Sequence, residues 1–256
     1  MKFDFNCFTG NWPFHKIRCN TVEKLIKMHS RLGIQGGLVS SLEAVFYQDP
    51  FEADLELSRQ LQGKEGYYHC QTINPLHSGW ESILRHGVED LHVSAVRIYP
   101  GFHGYELDHP QLHRLCDALR EYKLPLVITF RMEDERQTYL FHPQILKPFE
   151  LCGFLQQEQD LPMLLTNMRP DEFNILSTQV KTRGDVFCDF SGYRGGADAL
   201  CRLAQSGLDQ YTVYGSLAPL YTADSTVFAL EHDDAPQGVR KAIFAGEALR
   251  KILCQG

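Results

Sequence analysis

The sequence contains no apolar run approaching the ~18 residues that a bilayer-spanning helix requires. Basic residues are in deficit, with 25 Lys and Arg against 32 Asp and Glu and a formal charge of −7. That balance excludes a whole-surface footprint for nucleic acid or for an anionic membrane, yet leaves room for a local basic pocket that takes a small anion. None of the 8 cysteines stands in a Cys-x-x-Cys pair, so neither a zinc ribbon nor a thioredoxin-type redox centre is indicated. Several of them fall inside apolar segments, as buried reduced thiols do. The opening residues Met1-Lys2-Phe3-Asp4-Phe5-Asn6 put an acid where a secretory signal needs an uninterrupted apolar stretch. A cytoplasmic protein is expected. Also missing are Gly-x-Gly-x-x-Gly after the first apolar run, a Gly-x-Ser-x-Gly elbow and His-Glu-x-x-His.

What the 256 residues do contain is an alternation of short apolar runs with longer amphipathic ones. The runs Phe3–Phe8, Gly36–Ser41, Tyr67–Ile73, Val93–Tyr99, Leu126–Arg131, Met163–Asn167, Val186–Ser191 and Tyr211–Ser216 read as strands. Helical spacing fills the intervals: Thr21–Leu32, Phe51–Leu61, Trp80–Val88, Gln111–Tyr122, Pro143–Gln157, Pro170–Val180, Ala197–Ala204 and Gln237–Leu253. Asn20, with Glu23 three residues on, reads as the capping box of the first helix. Strands alternating with helices imply parallel pairing through crossovers. Eight such units with no linker or charge block predict one (β/α)8 TIM-barrel domain over residues 1–256.

In such a barrel the reactive groups come from the carboxyl ends of the strands. The short list is Asn6 and Phe8 from strand 1, Gln71 and Asn74 from strand 3, Arg97 and Tyr99 from strand 4, Thr129 and Arg131 from strand 5, Asn167 from strand 6, Asp189 and Ser191 from strand 7, and Ser216 from strand 8. The polar run after strand 5 adds Glu133, Asp134 and Arg136, and the Gly-rich turn after strand 7 adds Arg194.

From Asn74 onward several segments resemble amidohydrolase family 2, a branch of the metal-dependent hydrolases. They are Asn74-Pro75, Val96-Arg97-Ile98-Tyr99-Pro100, Gly104-Tyr105-Glu106-Leu107-Asp108, Leu124-Pro125-Leu126-Val127-Ile128, Asp189-Phe190-Ser191-Gly192, Tyr214-Gly215-Ser216 with Pro219, and Ala242-Ile243-Phe244-Ala245-Gly246-Glu247-Ala248. The resemblance implies hydrolysis, or a related lyase or lactone-opening reaction, on a small carboxylated compound. It also implies a divalent metal held by His-x-His on strand 1, by His at the ends of strands 5 and 6, and by Asp after strand 8. Those places hold Asn6 and Phe8, Thr129, Asn167 and Leu217. Phenyl and isobutyl groups offer no lone pair, and neutral amides or hydroxyls are poor zinc ligands. The expectation is therefore a chain without metal or other cofactor.

Arginine is the residue suited to gripping a carboxylate with two parallel bonds. Arg97, Arg131, Arg136 and Arg194, with Asn6, Asn167 and Ser191, are the expected binding residues for a small anionic ligand. Asp189, Glu133 and Asp134 are the candidate bases, with Tyr99 as orienting group. Glu133, Asp134 and Asp189 could equally neutralise these arginines in an internal network. Trp12, Phe14, Phe102 and Tyr193 are candidates to wall the pocket. Two other readings stand beside this one: a non-catalytic binder of the same ligand class, and a non-standard metal site built from His69 or His103. A His109–His113 zinc pair is disfavoured because Pro110 holds His109 extended. A two-fold dimer is the default assembly.

Overall fold

A computed structural model of the chain describes residues 1–47, 49–134, 136, 142–193 and 198–253. Eight parallel strands lie in sequence order: β1 (Lys2–Thr9), β2 (Ile34–Ser41), β3 (Tyr67–Thr72), β4 (Ala95–Ile98), β5 (Leu126–Thr129), β6 (Met163–Thr166), β7 (Val186–Asp189) and β8 (Thr212–Val213). The ring is closed between its last and first members, where Phe5 N donates to Tyr214 O at 2.9 Å and Leu217 N to Asn6 O at 2.8 Å. The architecture is a single (β/α)8 barrel.

The helices are α1 (Val22–Arg31), α2 (Pro50–Leu61), α3 (Trp80–Glu89), α4 (Pro100–His103), α5 (Pro110–Tyr122), α6 (Pro148–Gln157), α7 (Pro170–Ile175), α8 (Ser177–Arg183), α9 (Ala199–Ser206), α10 (Ala223–Glu231), α11 (Gln237–Ala245) and α12 (Glu247–Leu253). Several differ from the sequence reading. Helix α1 is capped by Thr21, whose hydroxyl accepts from Lys24 N, and Asn20 instead receives the Lys24 ammonium at 2.8 Å. Helix α6 starts at Pro148 and not at Pro143, because a proline at the first helical position forces its predecessor, Lys147, to be extended. The segment expected as one helix over Gln237–Leu253 breaks at Gly246, which adopts φ 51°. Helices α4 and α10 were not anticipated. The cap residue of α10, Thr222, makes no side-chain bond to mark its start.

Strand parity then sorts the interior into layers along the barrel axis. Phe3, Phe5, Leu38, Cys70, Ala95, Val127, Leu164, Phe187 and Val213 point inward and pack against Leu249 and Leu253 of α12 as an apolar floor. Two residues further along each strand the inward positions are Ser40, Thr72, Arg97, Thr129, Thr166 and Asp189, all buried. This second layer is polar. In β1 the register shifts between Asp4 and Cys7, and that bulge turns Asn6 inward to join the polar layer. Above it Phe8, Trp12, Ile17, Leu42, Val45, Tyr99, Met132 and Leu217 form an apolar cap.

At the β8 position of the polar layer stands Gly215. A Cβ there would lie 2.4 Å from Asp189 Oδ2 and 2.9 Å from the Asn6 Cβ. Both neighbours belong to strands and cannot swing aside. Gly215→Ala is expected to lower stability by roughly 1–3 kcal/mol in urea denaturation, as overpacking does. An unchanged midpoint would contradict this close packing.

Candidate active site

The polar layer is organised around one guanidinium. Arg97 Nη1 donates to Asn6 Oδ1 at 2.8 Å and to Thr129 Oγ1 at 3.2 Å. Its Cζ lies over the Phe8 ring, 4.6 Å from the centroid, in cation–π contact. Thr166 Oγ1 continues the network to Thr129 Oγ1 at 3.2 Å. Asn6 is the bridge to the acid, its Nδ2 donating to Asp189 Oδ2 at 2.6 Å. Asp189 also accepts from Asn167 N at 2.8 Å and from Ser191 Oγ at 2.9 and 2.8 Å. Burial raises the Asp189 pKa to about 6, against the opposing pull of these donors and of Arg97.

Three of the five positions where the resembled family keeps its ligands, Asn6, Phe8 and Thr129, thus touch Arg97 directly. Asn167 takes φ 56°, turning its N–H to Asp189 and its side-chain Nδ2 to Arg131 O at 2.8 Å. Leu217 belongs to the apolar cap beside Phe8. These groups do not fit a divalent cation: the Asn6 and Thr129 oxygens already serve a fixed positive charge, the neutral Asn167 amide is turned to the Arg131 carbonyl, and Phe8 and Leu217 are hydrocarbon.

A cavity of about 320 Å³ opens beside this centre, lined by Arg131, Asn167, Arg169, Glu133, Asp134 and Arg136 among others. Arg131 reaches Glu172 with two nitrogens at 2.7 and 2.6 Å, and Asn167 O at 2.9 Å. Burial alone would raise Glu172, but Arg131 and the Arg169 N–H, 2.7 Å away, hold its carboxyl below the usual range. Glu133 accepts from Trp12 Nε1 at 2.8 Å and faces His15 Nδ1 at 3.3 Å. Arg136 is exposed and pairs with Asp134 at 2.7 Å. Tyr99 is buried at the underside of the cap, its phenol held protonated by burial. Asn6, Arg97, Asp189 and Ser191 therefore form one cluster, joined by the backbone of Asn167. Arg131, Glu133, Asp134 and Arg136 line the neighbouring cavity, and Arg194 lies outside the described residues.

Of the aromatic wall candidates, Trp12, Phe14 and Phe102 pack into the cap, whereas Tyr193 stacks on Phe190 at 5.0 Å. Sequence reasoning missed Glu172, Arg169 and His15. Arg169 and Glu172 carried a signal in Arg169-Pro170-Asp171-Glu172, a helix start with acids in its first turn.

His69 does not reach the mouth of the barrel. Inward-facing Cys70 and Thr72 put it on the outer face of β3, where Nε2 meets Asp54 Oδ1 at 3.1 Å. His103 Nε2 meets Val45 O at 3.2 Å, and burial lowers its pKa to about 4. His109 is extended and caps α5, as Pro110 requires, and His113 pairs with Glu158. Among the described residues, Asp4, Cys7 and His29 are close enough together to share an ion, but they lie between β1 and α1, outside the barrel interior.

No protein-family model matches the sequence, and no curated protein sequence does either. Solved structures do match. A 5-carboxyvanillate decarboxylase from Sphingomonas paucimobilis is 14% identical over 91% of this chain and 83% of its own, with a TM-score of 0.70. A structure described as amidohydrolase II is 13% identical with both chains covered at 100% and a TM-score of 0.71. The fold these structures share with this chain is the (β/α)8 barrel. A third structure, a probable 2-pyrone-4,6-dicarboxylic acid hydrolase from Acinetobacter baumannii with citric acid bound, is 11% identical over 98% of each chain, with a TM-score of 0.68. At such identities the likeness to amidohydrolase barrels is one of fold alone.

Asn6 is the hinge of the cluster, since it serves both charged groups. Asn6→Leu removes one buried hydrogen bond from Arg97 and one from Asp189, and a loss of roughly 3 kcal/mol is expected in chemical denaturation. A midpoint like that of the wild type would show that the bridge carries no weight.

Proposed function

We propose that this chain is a metal-independent hydrolase or lyase of the amidohydrolase barrel type, acting in the cytoplasm on a small carboxylate-bearing compound. The observation that carries the reading is the Arg97 guanidinium, bonded to Asn6 and Thr129 where the resembled family holds its cation. A fixed positive charge in a buried setting stabilises negative charge that develops on a reacting group, without a metal. Asp189, with its pKa near 6, is the acid–base group whose proton can move near neutral pH. The arginines of the neighbouring cavity supply the attraction for a carboxylate. The named compounds of two fold neighbours, a carboxyvanillate and a pyrone dicarboxylic acid, support the ligand class. The described cysteines are all free thiols, and no described helix is long and apolar enough to cross a membrane. The free thiols support the compartment.

One observation favours the second reading, a binder without turnover. Both Asp189 oxygens already accept hydrogen bonds, and neither Asp189 nor Arg97 has exposed surface.

Elemental analysis of protein purified without added metal, combined with turnover of carboxylate-bearing lactones, esters and amides in chelator, tests the proposal. Expected are less than stoichiometric metal and chelator-resistant turnover. Stoichiometric zinc or manganese whose removal abolishes turnover would overturn the metal-free mechanism, and binding without turnover of any such compound would establish the second reading.

The pH profile is a separate check. A base must be ionised to act, so kcat/KM is expected to rise with pH through about 6, following Asp189. A profile flat from pH 5 to pH 7 would remove Asp189 from that role.

A further inference from the structure

The outer face of β1 holds polar groups that neither the barrel interior nor the cavity uses. The bulge that turns Asn6 inward leaves Asp4 and Cys7 both on the outer side of the strand, under α1. His29 comes down from α1 to meet them, and all three residues are fully buried. One ligand-type atom from each lies within 4.8 Å of those of the other two. A Cβ on Gly37 of β2 would stand 2.9 Å from Cys7 Sγ and 3.4 Å from His29 Cε1. Glycine there is what lets sulfur and imidazole close on each other.

Two of the three are held from behind. Asp4 Oδ1 accepts from Asn6 N at 3.1 Å and from Ser216 N at 3.0 Å, which fixes the carboxylate and leaves Oδ2 over. His29 Nδ1 meets the Tyr67 hydroxyl at 3.1 Å, and its ring stacks on that tyrosine at 5.8 Å, which leaves Nε2 over. Nε2 and Oδ2 stand 3.2 Å apart, yet neither has a hydrogen-bond partner. Close approach without an aligned hydrogen bond suits two ligands of one ion, whose lone pairs converge on a point between them. With Zn–N and Zn–O bonds of about 2.0–2.2 Å, neighbouring ligand atoms on a tetrahedral zinc stand roughly 3.3–3.6 Å apart. Such an ion needs no cavity, because it sits at the centre of its own donors. The Cys7 thiol rests on Leu38 O at 3.4 Å, a weak bond that rotation of the side chain gives up.

We propose that Asp4, Cys7 and His29 form a zinc site that ties α1 to β1, with Asp4 Oδ2, Cys7 Sγ and His29 Nε2 as ligands. Carboxylate, thiolate and imidazole are the donors that zinc takes. On binding, the Cys7 thiol releases its proton to solvent, so the site fills when zinc is supplied to displace it. The Tyr67 hydroxyl accepts from Nδ1–H, the outer bond that orients a metal-bound histidine. Cys19 and Tyr67, both partly exposed, pack against the cluster and mark the side from which the ion and a fourth, water ligand enter. The site lies across β1 from Asn6 and Arg97 and takes no part in the metal-independent reaction proposed above.

Cobalt and zinc titrations of the chelator-treated full chain test the site, read by absorbance and by thermal stability. One equivalent of cobalt is expected to give a near-ultraviolet sulfur-to-cobalt band with the visible bands of a tetrahedral ion. Zinc is expected to bleach both and to raise Tm by several degrees. Cys7→Ser should remove the sulfur band, and His29→Gln should weaken cobalt binding further than Tyr67→Phe does. Tyr67→Phe should keep the band and weaken binding about tenfold, as loss of an outer partner does. Cys201→Ser, a thiol on α9, should change nothing. Each variant is first shown by circular dichroism to fold, and a zinc-soaked wild-type crystal should show an anomalous peak between Asp4, Cys7 and His29. Absence of the sulfur band, a band that survives Cys7→Ser, or no peak there would overturn the site and leave a buried Asp4–His29 pair.

Discussion

The structure depends on one positive charge sealed inside a barrel. A guanidinium taken out of water loses several kcal/mol of hydration unless polar groups replace it. Here Asn6, Thr129 and the face of Phe8 do so, and Asp189 balances the charge through the Asn6 amide. Once Arg97 is fixed in the barrel interior, the neighbouring choices follow. The β1 bulge brings Asn6 inward, Gly215 leaves room for Asp189, and Asn167 adopts a left-handed backbone to present its N–H.

The layering gives this charge its effect. Hydrocarbon lies beneath it, in the floor closed by α12, and above it, in the cap of Phe8, Trp12, Tyr99 and Leu217. Between two apolar layers the local dielectric is low, so the field of Arg97 is felt more strongly than at a surface. The same burial lifts Asp189 toward neutrality, so a carboxyl that would be fully ionised in water becomes able to exchange its proton near physiological pH. The proposed function draws on this pair, a cation and an acid joined through the Asn6 amide.

Much of this was legible in the order of residues. The strands could be read because alternation and apolar runs report burial, and the spacing of two puts Arg97 and Tyr99 on one side of their strand. The exchange of ligand residues at Asn6, Phe8, Thr129, Asn167 and Leu217 was equally open to inspection. What could not be read depends on tertiary placement. A bulge leaves no local mark, so the inward turn of Asn6 was seen only as proximity to a strand end. The direction of His69 required knowing which parity of β3 faces in. The apolar cap joins Trp12, Val45, Met132 and Leu217 from four separate loops, and nothing in any one of them shows the others. Glu172 meets Arg131 across 41 residues, a pairing set by the barrel and not by either segment.

The central claim is that a guanidinium holds the place of a cation. Anomalous diffraction from crystals soaked in manganese or zinc measures this most directly. The account predicts no metal peak among Asn6, Thr129 and Asn167, with Arg97 density unmoved between the first two. A peak there, with the Arg97 side chain swung away to admit the ion, would contradict it.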